Sequence, residues 1–191
     1  MGLDVKPHKR SALAKEGLAV GVVVLAATLI AWNVPRDMPD VGGYNVSFDF
    51  GYTLMWLSGG GLNAPDTEAV PALGEFLARE RPTLDLSVLP VPLPHRLSNQ
   101  SGGFVQVIRA YNHYVIGAVW GLFGVAWENL KIVLLLWHAA TAVMMYALLR
   151  LGLPRAPAVL AVGVAMYFLA AGAEGLSFRE LSKGPFVLAL L

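Results

Sequence analysis

The chain has 191 residues, 56% of them hydrophobic and only 14% charged, with 14 basic and 13 acidic side chains for a formal net charge of +1. A soluble domain of this length would have too few polar side chains to cover its surface, so the composition excludes that class and reads as a membrane protein. There is no cysteine, which excludes disulfide frameworks and thiolate metal sites.

The distribution of charge along the chain is more informative than its total. Residues 1–16 carry Lys6, Lys9, Arg10 and Lys15 against Asp4 and Glu16, whereas residues 35–107 carry eight acids and four bases. Four cations suffice to orient a membrane segment and to meet membrane lipids, and they give no case for a nucleic-acid partner. Gly17 to Val34, "GLAVGVVVLAATLIAWNV", is free of charge over 18 residues. At a rise of 1.5 Å per residue it reaches about 27 Å, close to the thickness of a bilayer core, so 17–34 reads as a first transmembrane helix. A cleaved signal peptide is the rival reading. The run is longer than a typical signal core and lacks a small-x-small site at its end, which favours an uncleaved anchor. With the bases before it, the N-terminus is expected in the cytoplasm, 1–16 forming a basic cytoplasmic segment, and the residues after Val34 outside.

Residues 35–104 are polar and rich in Pro and Gly, as expected of a large extracytoplasmic loop. Within it, Val70, Leu73, Phe76 and Leu77 of "TEAVPALGEFLARERP" (67–82) recur at helical spacing between charges, which predicts an amphipathic helix lying along the membrane surface. The prolines of "LPVPLPHRL" (89–97) predict extended chain. The apolar stretch that follows is too long for one helix. It divides into an interfacial helix over 105–127 with its turn near Gly121 to Trp127, and a second transmembrane helix over 129–149. Arg150 and Arg155 place the next turn in the cytoplasm, a third span covers 156–173, and 174–183 form a short outer loop. Residues 184–191, "GPFVLALL", begin a fourth span but reach only about 12 Å. The chain therefore reads as the N-terminal part of a longer polytopic protein, or as one whose C-terminal helix is covered by a membrane-protein partner. The fold class expected is all-α: polytopic transmembrane helices with a large extracytoplasmic loop carrying surface helices.

Two stretches stand out. "FDFGYTLMWLSGGG" (48–61) follows the first span with an acidic residue near a tyrosine, and "YNHYVIGAVWGLFGVAWENLKIVLLLWHAATAVMMYALLRLGLPR" (111–155) continues to an arginine at 150. In this order they resemble the N-terminal part of the GT-C superfamily membrane glycosyltransferases, which include protein O-mannosyltransferases and aminoarabinose transferases. The sequence departs from that pattern in three places. Asp49-Phe50 stands where an acidic pair is usual, His113 lacks the flanking prolines, and Lys131 stands nearest to an expected arginine.

The resemblance implies transfer of a sugar from a polyprenyl-phosphate-linked donor on the extracytoplasmic side of a bacterial inner membrane. It implies that Asp49 acts as general base on the acceptor, since a neutral hydroxyl is a weak nucleophile. The plainer reading of Asp49 is a carboxylate capping a helix. It also implies that Arg179 grips the donor phosphate, with Arg109, His113 and Lys183 as further phosphate-binding candidates and Glu174 and Glu180 as candidate ligands of a divalent cation. No cofactor is certain, and a divalent cation is the one candidate. Each has a structural alternative: Glu174, Arg179 and Glu180 as charges ending a helix in water, and Arg109 and His113 as headgroup-level side chains beside Tyr111 and Tyr114. His138, inside the second span, reads as a neutral histidine bonded to a neighbouring helix. Glu128 and Lys131 read as an intrahelical pair. "SGGG" (58–61) lacks the Lys-Ser/Thr of a phosphate loop, and the sequons at Asn45 and Asn99 agree with an outer loop. The competing function is a non-catalytic membrane subunit or scaffold of a larger complex.

Overall fold

The computed structural model describes residues 7–33, 46–95, 110–171 and 178–190, with side chains described over 11–33, 50–95, 110–171 and 182–190. The chain is mostly helical: α1 (Pro7–Asn33), α2 (Val46–Leu57), α3 (Pro71–Leu77), α4 (Ala110–Phe123), α5 (Leu130–Leu149), α6 (Arg155–Ala171) and α7 (Phe178–Ala189). Two-residue strands β1 (Thr83–Leu84) and β2 (Val125–Ala126) pair antiparallel, Thr83 opposite Ala126 and Leu84 opposite Val125. The chain divides into two compact units, one of Met1–Pro35 with Leu134–Leu191 and one of Arg36–Val133.

In the first unit, long runs of apolar good helix formers make the helices, and small residues let them approach. Val23 and Ala27 of α1, Ala142 and Tyr146 of α5, and Ala158, Val162 and Met166 of α6 form one buried cluster. The α1 and α6 members recur at four-residue intervals, the ridge along which two helices interdigitate. The opposite stripe of α1, made by Leu18, Val22, Leu25, Leu29 and Trp32, is exposed. A core helix of a soluble protein turns a polar face outward; here both faces are apolar, and 17% of the most apolar stretch of α1 is buried. Two segments, Ser11–Asn33 and Trp127–Leu149, are long and apolar enough to cross a membrane. Arg155–Ala171 is shorter. Against α5, Gly184 of α7 lies so close to Thr141 that a Cβ there would stand 2.9 Å from its Oγ1, and Phe186 meets Trp137 at 6.2 Å between rings.

The second unit is built around four aromatic rings, Phe50 (α2), Phe76 (α3), Trp120 (α4) and Trp127. Phe76 stacks on Trp127 at 4.7 Å, Phe50 and Trp120 meet Trp127 edge-on at 5.1 and 6.2 Å, and both indole nitrogens are bonded: Trp120 Nε1 donates to Ala126 O (3.0 Å) and Trp127 Nε1 to Phe76 O (3.1 Å). Satisfying those donors is what allows two indoles in a core. Gly124, at φ +88, turns the chain out of α4 into β2. Asn129 Nδ2 then donates to the carbonyls of Phe123 and Gly124.

Four expectations change. The surface helix expected over 67–82 is the seven-residue α3, and its apolar residues Leu73, Phe76 and Leu77 are buried within the unit rather than turned to a membrane. Pro71 opens it and Arg79, in left-handed conformation at φ 66, closes it: Arg79 N–H bonds Phe76 O and Glu80 N–H bonds Glu75 O, each at 2.9 Å. The interfacial helix expected over 105–127 is α4, with His113, Ile116, Gly117, Val119 and Trp120 buried, while 105–109 lie outside the described residues. Asp49, expected in a loop, lies in the first turn of α2. The outer loop expected over 174–183 is helical from Phe178 on, because Phe178, Leu181 and Pro185 keep a helical period through the charges.

Candidate functional site

The two stretches that stood out in the sequence, 48–61 and 111–155, begin on α2 and α4, and these helices pack together. Their contact is polar at one point. Thr53 Oγ1 and His113 Nδ1 share a hydrogen bond of 3.1 Å, with Thr53 fully buried and His113 1% exposed. A turn further along, Gly117 admits the Trp56 ring so closely that a Cβ at 117 would lie 2.4 and 2.5 Å from Cζ3 and Cε3. Trp56 also tilts against Tyr114 at 5.1 Å, and Tyr52 lies 6.1 Å from the His113 ring. His113 is thus an interior residue of this unit, tied to its neighbouring helix.

The other candidates fall as follows. Asp49 sits one helical turn before Thr53 on α2, and its side chain lies outside the described residues. Arg109 and Glu174 lie outside them altogether; Arg179 and Glu180 have described backbone, in α7, but not side chains. Lys183 is half-buried in α7, next to the buried Ser182. His138 is 1% exposed in α5, where its Nδ1–H donates to Leu134 O at 2.8 Å within the same helix. Among the described residues, no group of three or more His, Cys, Asp or Glu side chains is gathered to hold a metal ion.

Three polar arrangements escaped sequence reasoning. In the second unit, Arg79 lays its guanidinium over Trp127, 5.5 Å from the ring centroid. An arginine in a left-handed position, where glycine costs least, places that guanidinium against the Trp127 face of the aromatic core. Asp85 caps a 3-10 turn, accepting from the Ser87 hydroxyl (2.6 Å) and N–H (2.9 Å), and these bonds hold its carboxyl below the ordinary range.

In the first unit, three donors converge on Glu16. Oε1 accepts from Tyr146 Oη and Arg150 Nε, each at 2.8 Å, and Oε2 accepts from Arg155 Nε at 2.6 Å. The N-terminal half of α1, the end of α5 and the start of α6 are joined by one carboxylate. Arg150 also donates through Nη1 to Leu153 O, closing the turn between α5 and α6. Nothing local in the sequence signals this: the partners stand 130, 134 and 139 residues from Glu16. The one available sign is that Glu16 is an acid at the very edge of a span, directly after Lys15 in a segment that is basic on balance.

No family model matches this chain, and neither the curated proteins nor the solved structures contain a significant match.

Proposed function

We propose that this chain is an integral membrane protein of the lipid-linked-sugar glycosyltransferase type, with α1, α5 and α6 in the bilayer and Asp49 as the general base. The membrane part of this reading draws on the ends of the helices in the first unit. Glu16, Arg150 and Arg155 gather at one end, and the exposed aromatics Trp32, Tyr167 and Phe168 lie toward the other ends of α1 and α6. Glu16 and Trp32 are separated by about 24 Å of helix, near the thickness of a hydrocarbon core. Charges at one interface, aromatics at the other and an exposed apolar stripe between them are what a bilayer selects.

The observation that carries the enzymatic part is the packing of α2 on α4. The two stretches resembling the glycosyltransferase pattern, "FDFGYTLMW" and "YNHYVIGAVW", are joined by the Thr53–His113 bond and the Trp56–Gly117 contact. That pairing sets Asp49 on a rigid helix, which holds a reacting group more tightly than a loop does. A phosphate-linked sugar in front of it would lose its anomeric carbon–oxygen bond as the acceptor hydroxyl, deprotonated by Asp49, attacks. The resemblance alone, with no placement relative to Asp49, makes Arg179, Arg109 and Lys183 the candidates for the leaving phosphate and Glu174 with Glu180 those for a divalent cation.

Two measurements test this. Membranes containing the Asp49→Asn variant, supplied with a polyprenyl-phosphate sugar, should lose at least about 100-fold in transfer rate with insertion unchanged; full activity would remove the assignment. Because the chain lacks cysteine, single cysteines at Asn63 and Leu153 report sidedness directly, and labelling of both from the same face would end the membrane reading. A second reading, a non-catalytic membrane subunit, draws support from the burial of His113 against Thr53. It expects Asp49→Asn to leave every partner contact and every activity of the complex unchanged.

A further inference from the structure

The Glu16 cluster is larger than an ion pair needs. One carboxylate has bound two guanidinium groups, so the cluster carries one positive charge in excess, and the exposed Lys15 beside it adds another. Each arginine reaches Glu16 through Nε. A guanidinium presents five N–H groups in a rigid planar fork. Among the described residues, the Nη groups of Arg155 have no hydrogen-bond partner, and its side chain is 39% exposed. The Arg155 fork is therefore anchored at its inner edge and open at its outer one, while Arg150 spends Nη1 on Leu153 O and lends its charge from behind.

The surroundings are apolar. Leu13, Glu16, Val20, Val23 and Ala27 recur at three- and four-residue spacing and share one face of α1. Where that face packs on α6 it is covered; one turn before Glu16 it is not, and Leu13 is 68% exposed. The result is an open cavity of about 370 Å³ lined by Ala12, Leu13, Glu16 and Arg155. A cationic fork, Arg155, on one wall and the aliphatic Ala12 and Leu13 on the other match an amphiphilic anion.

We propose that this end of the α1–α5–α6 bundle binds the phosphate headgroup of an anionic phospholipid, with Arg155 on the phosphate oxygens, Arg150 adding its charge from behind the cavity, and Leu13 against the glycerol and upper acyl chain. Guanidinium and phosphate match in geometry as well as charge, and bidentate pairing fixes the orientation of the lipid. The position supports a lipid rather than a soluble anion, since the cluster lies at the end of helices whose outer faces are apolar and exposed. Glu16 then has two tasks. It holds the forks in place and tempers their charge, so the headgroup is retained without being trapped. The inference rests on the membrane reading above.

The test uses the full chain in nanodiscs of phosphatidylcholine, alone or with phosphatidylglycerol, and reads phosphatidylglycerol binding by native mass spectrometry and by thermal protection. Arg155→Gln should weaken binding about fivefold, the effect of one basic side chain at an anionic surface. Glu16→Gln keeps a hydrogen-bonding group but removes the opposing charge, and should bind phosphatidylglycerol at least as tightly as the parent even though its bundle is less stable. A merely structural ion pair predicts lower stability in both variants with unchanged lipid affinity, and that result would overturn the proposal. Equal protection by inorganic phosphate in phosphatidylcholine discs would overturn it as well, by showing that no lipid is needed. Carbonate extraction of the parent separates the two readings: a chain that stays in the membrane but shows no phosphatidylglycerol preference sinks the headgroup site alone.

Discussion

Gly117→Ala is the sharpest test of the packing between α2 and α4. Helix propensity by itself predicts a gain, because glycine inside a helix is worse than alanine by roughly 0.5–1 kcal/mol. The structure predicts a loss. A methyl group at 117 would sit 2.4 and 2.5 Å from two carbons of the Trp56 ring, about an ångström inside normal contact. The ring is the far side of a large, stiff side chain that is also tilted against Tyr114, so it can escape only by leaving the interface. Overpacking of this kind costs about 1–3 kcal/mol. Set against the propensity gain, the variant should be destabilised by up to about 2 kcal/mol. The chain has two units, so a single melting curve would blur the effect. Hydrogen exchange of the α4 amides in detergent or nanodiscs, which reads the local opening free energy, isolates the second unit. Trp56→Ala supplies the control. In that background Gly117→Ala should turn stabilising, by the propensity term alone, and the difference between the two backgrounds is the coupling between ring and backbone. A Gly117→Ala variant with α4 amides as protected as the parent's would refute the reasoning, because the helices would then not be in the contact on which the Thr53–His113 bond also depends.

Arg79→Gly should be more stable than Arg79→Ala by about 1 kcal/mol, since both lose the guanidinium over Trp127 but only glycine takes φ 66 without strain; denaturant unfolding followed by tryptophan fluorescence measures it, and equal stabilities would mean that 79 is not left-handed. Asp85→Ala should narrow the acid-stability difference between mild and strongly acid buffers. The folded carboxyl titrates below its ordinary range because of Ser87, so its contribution is present above the unfolded value and is lost as pH falls through the folded one. Acid titrations of the parent and variant that run parallel would show the cap contributes nothing.

The comparison of residues with structure separates two kinds of knowledge. Hydropathy and turn residues found the long helices to within a few residues at most ends: 129–149 against Leu130–Leu149 and 156–173 against Arg155–Ala171. The first span, 17–34, ends where α1 does, but α1 starts at Pro7, because charged residues extend a helix without belonging in lipid. Such features are local. A helix closes hydrogen bonds four residues apart, and the bilayer selects apolar runs of a set length, so both leave a period or a run in the sequence.

The candidate site was less legible. The pattern around Asp49 and His113 fell on two helices that pack together, yet it placed His113 at a headgroup layer, whereas the structure buries it against Thr53, 60 residues away. The amphipathic spacing of Leu73, Phe76 and Leu77 said that one face of α3 needed cover. Only the tertiary structure supplied it, with Trp120 and Trp127 from beyond residue 110. Glu16 is the clearest case. Composition made it one acid in a basic segment, and folding made it the meeting point of α1, α5 and α6. By itself the sequence determined the long apolar helices and which of their faces are apolar, since those follow from bonds and burial within a few turns, whereas α2 and the charged start of α7 read as loop. Which faces meet, and which distant side chains share a carboxylate, depended on how the helices close on one another, and that closure leaves no period in the chain for a local pattern to reveal.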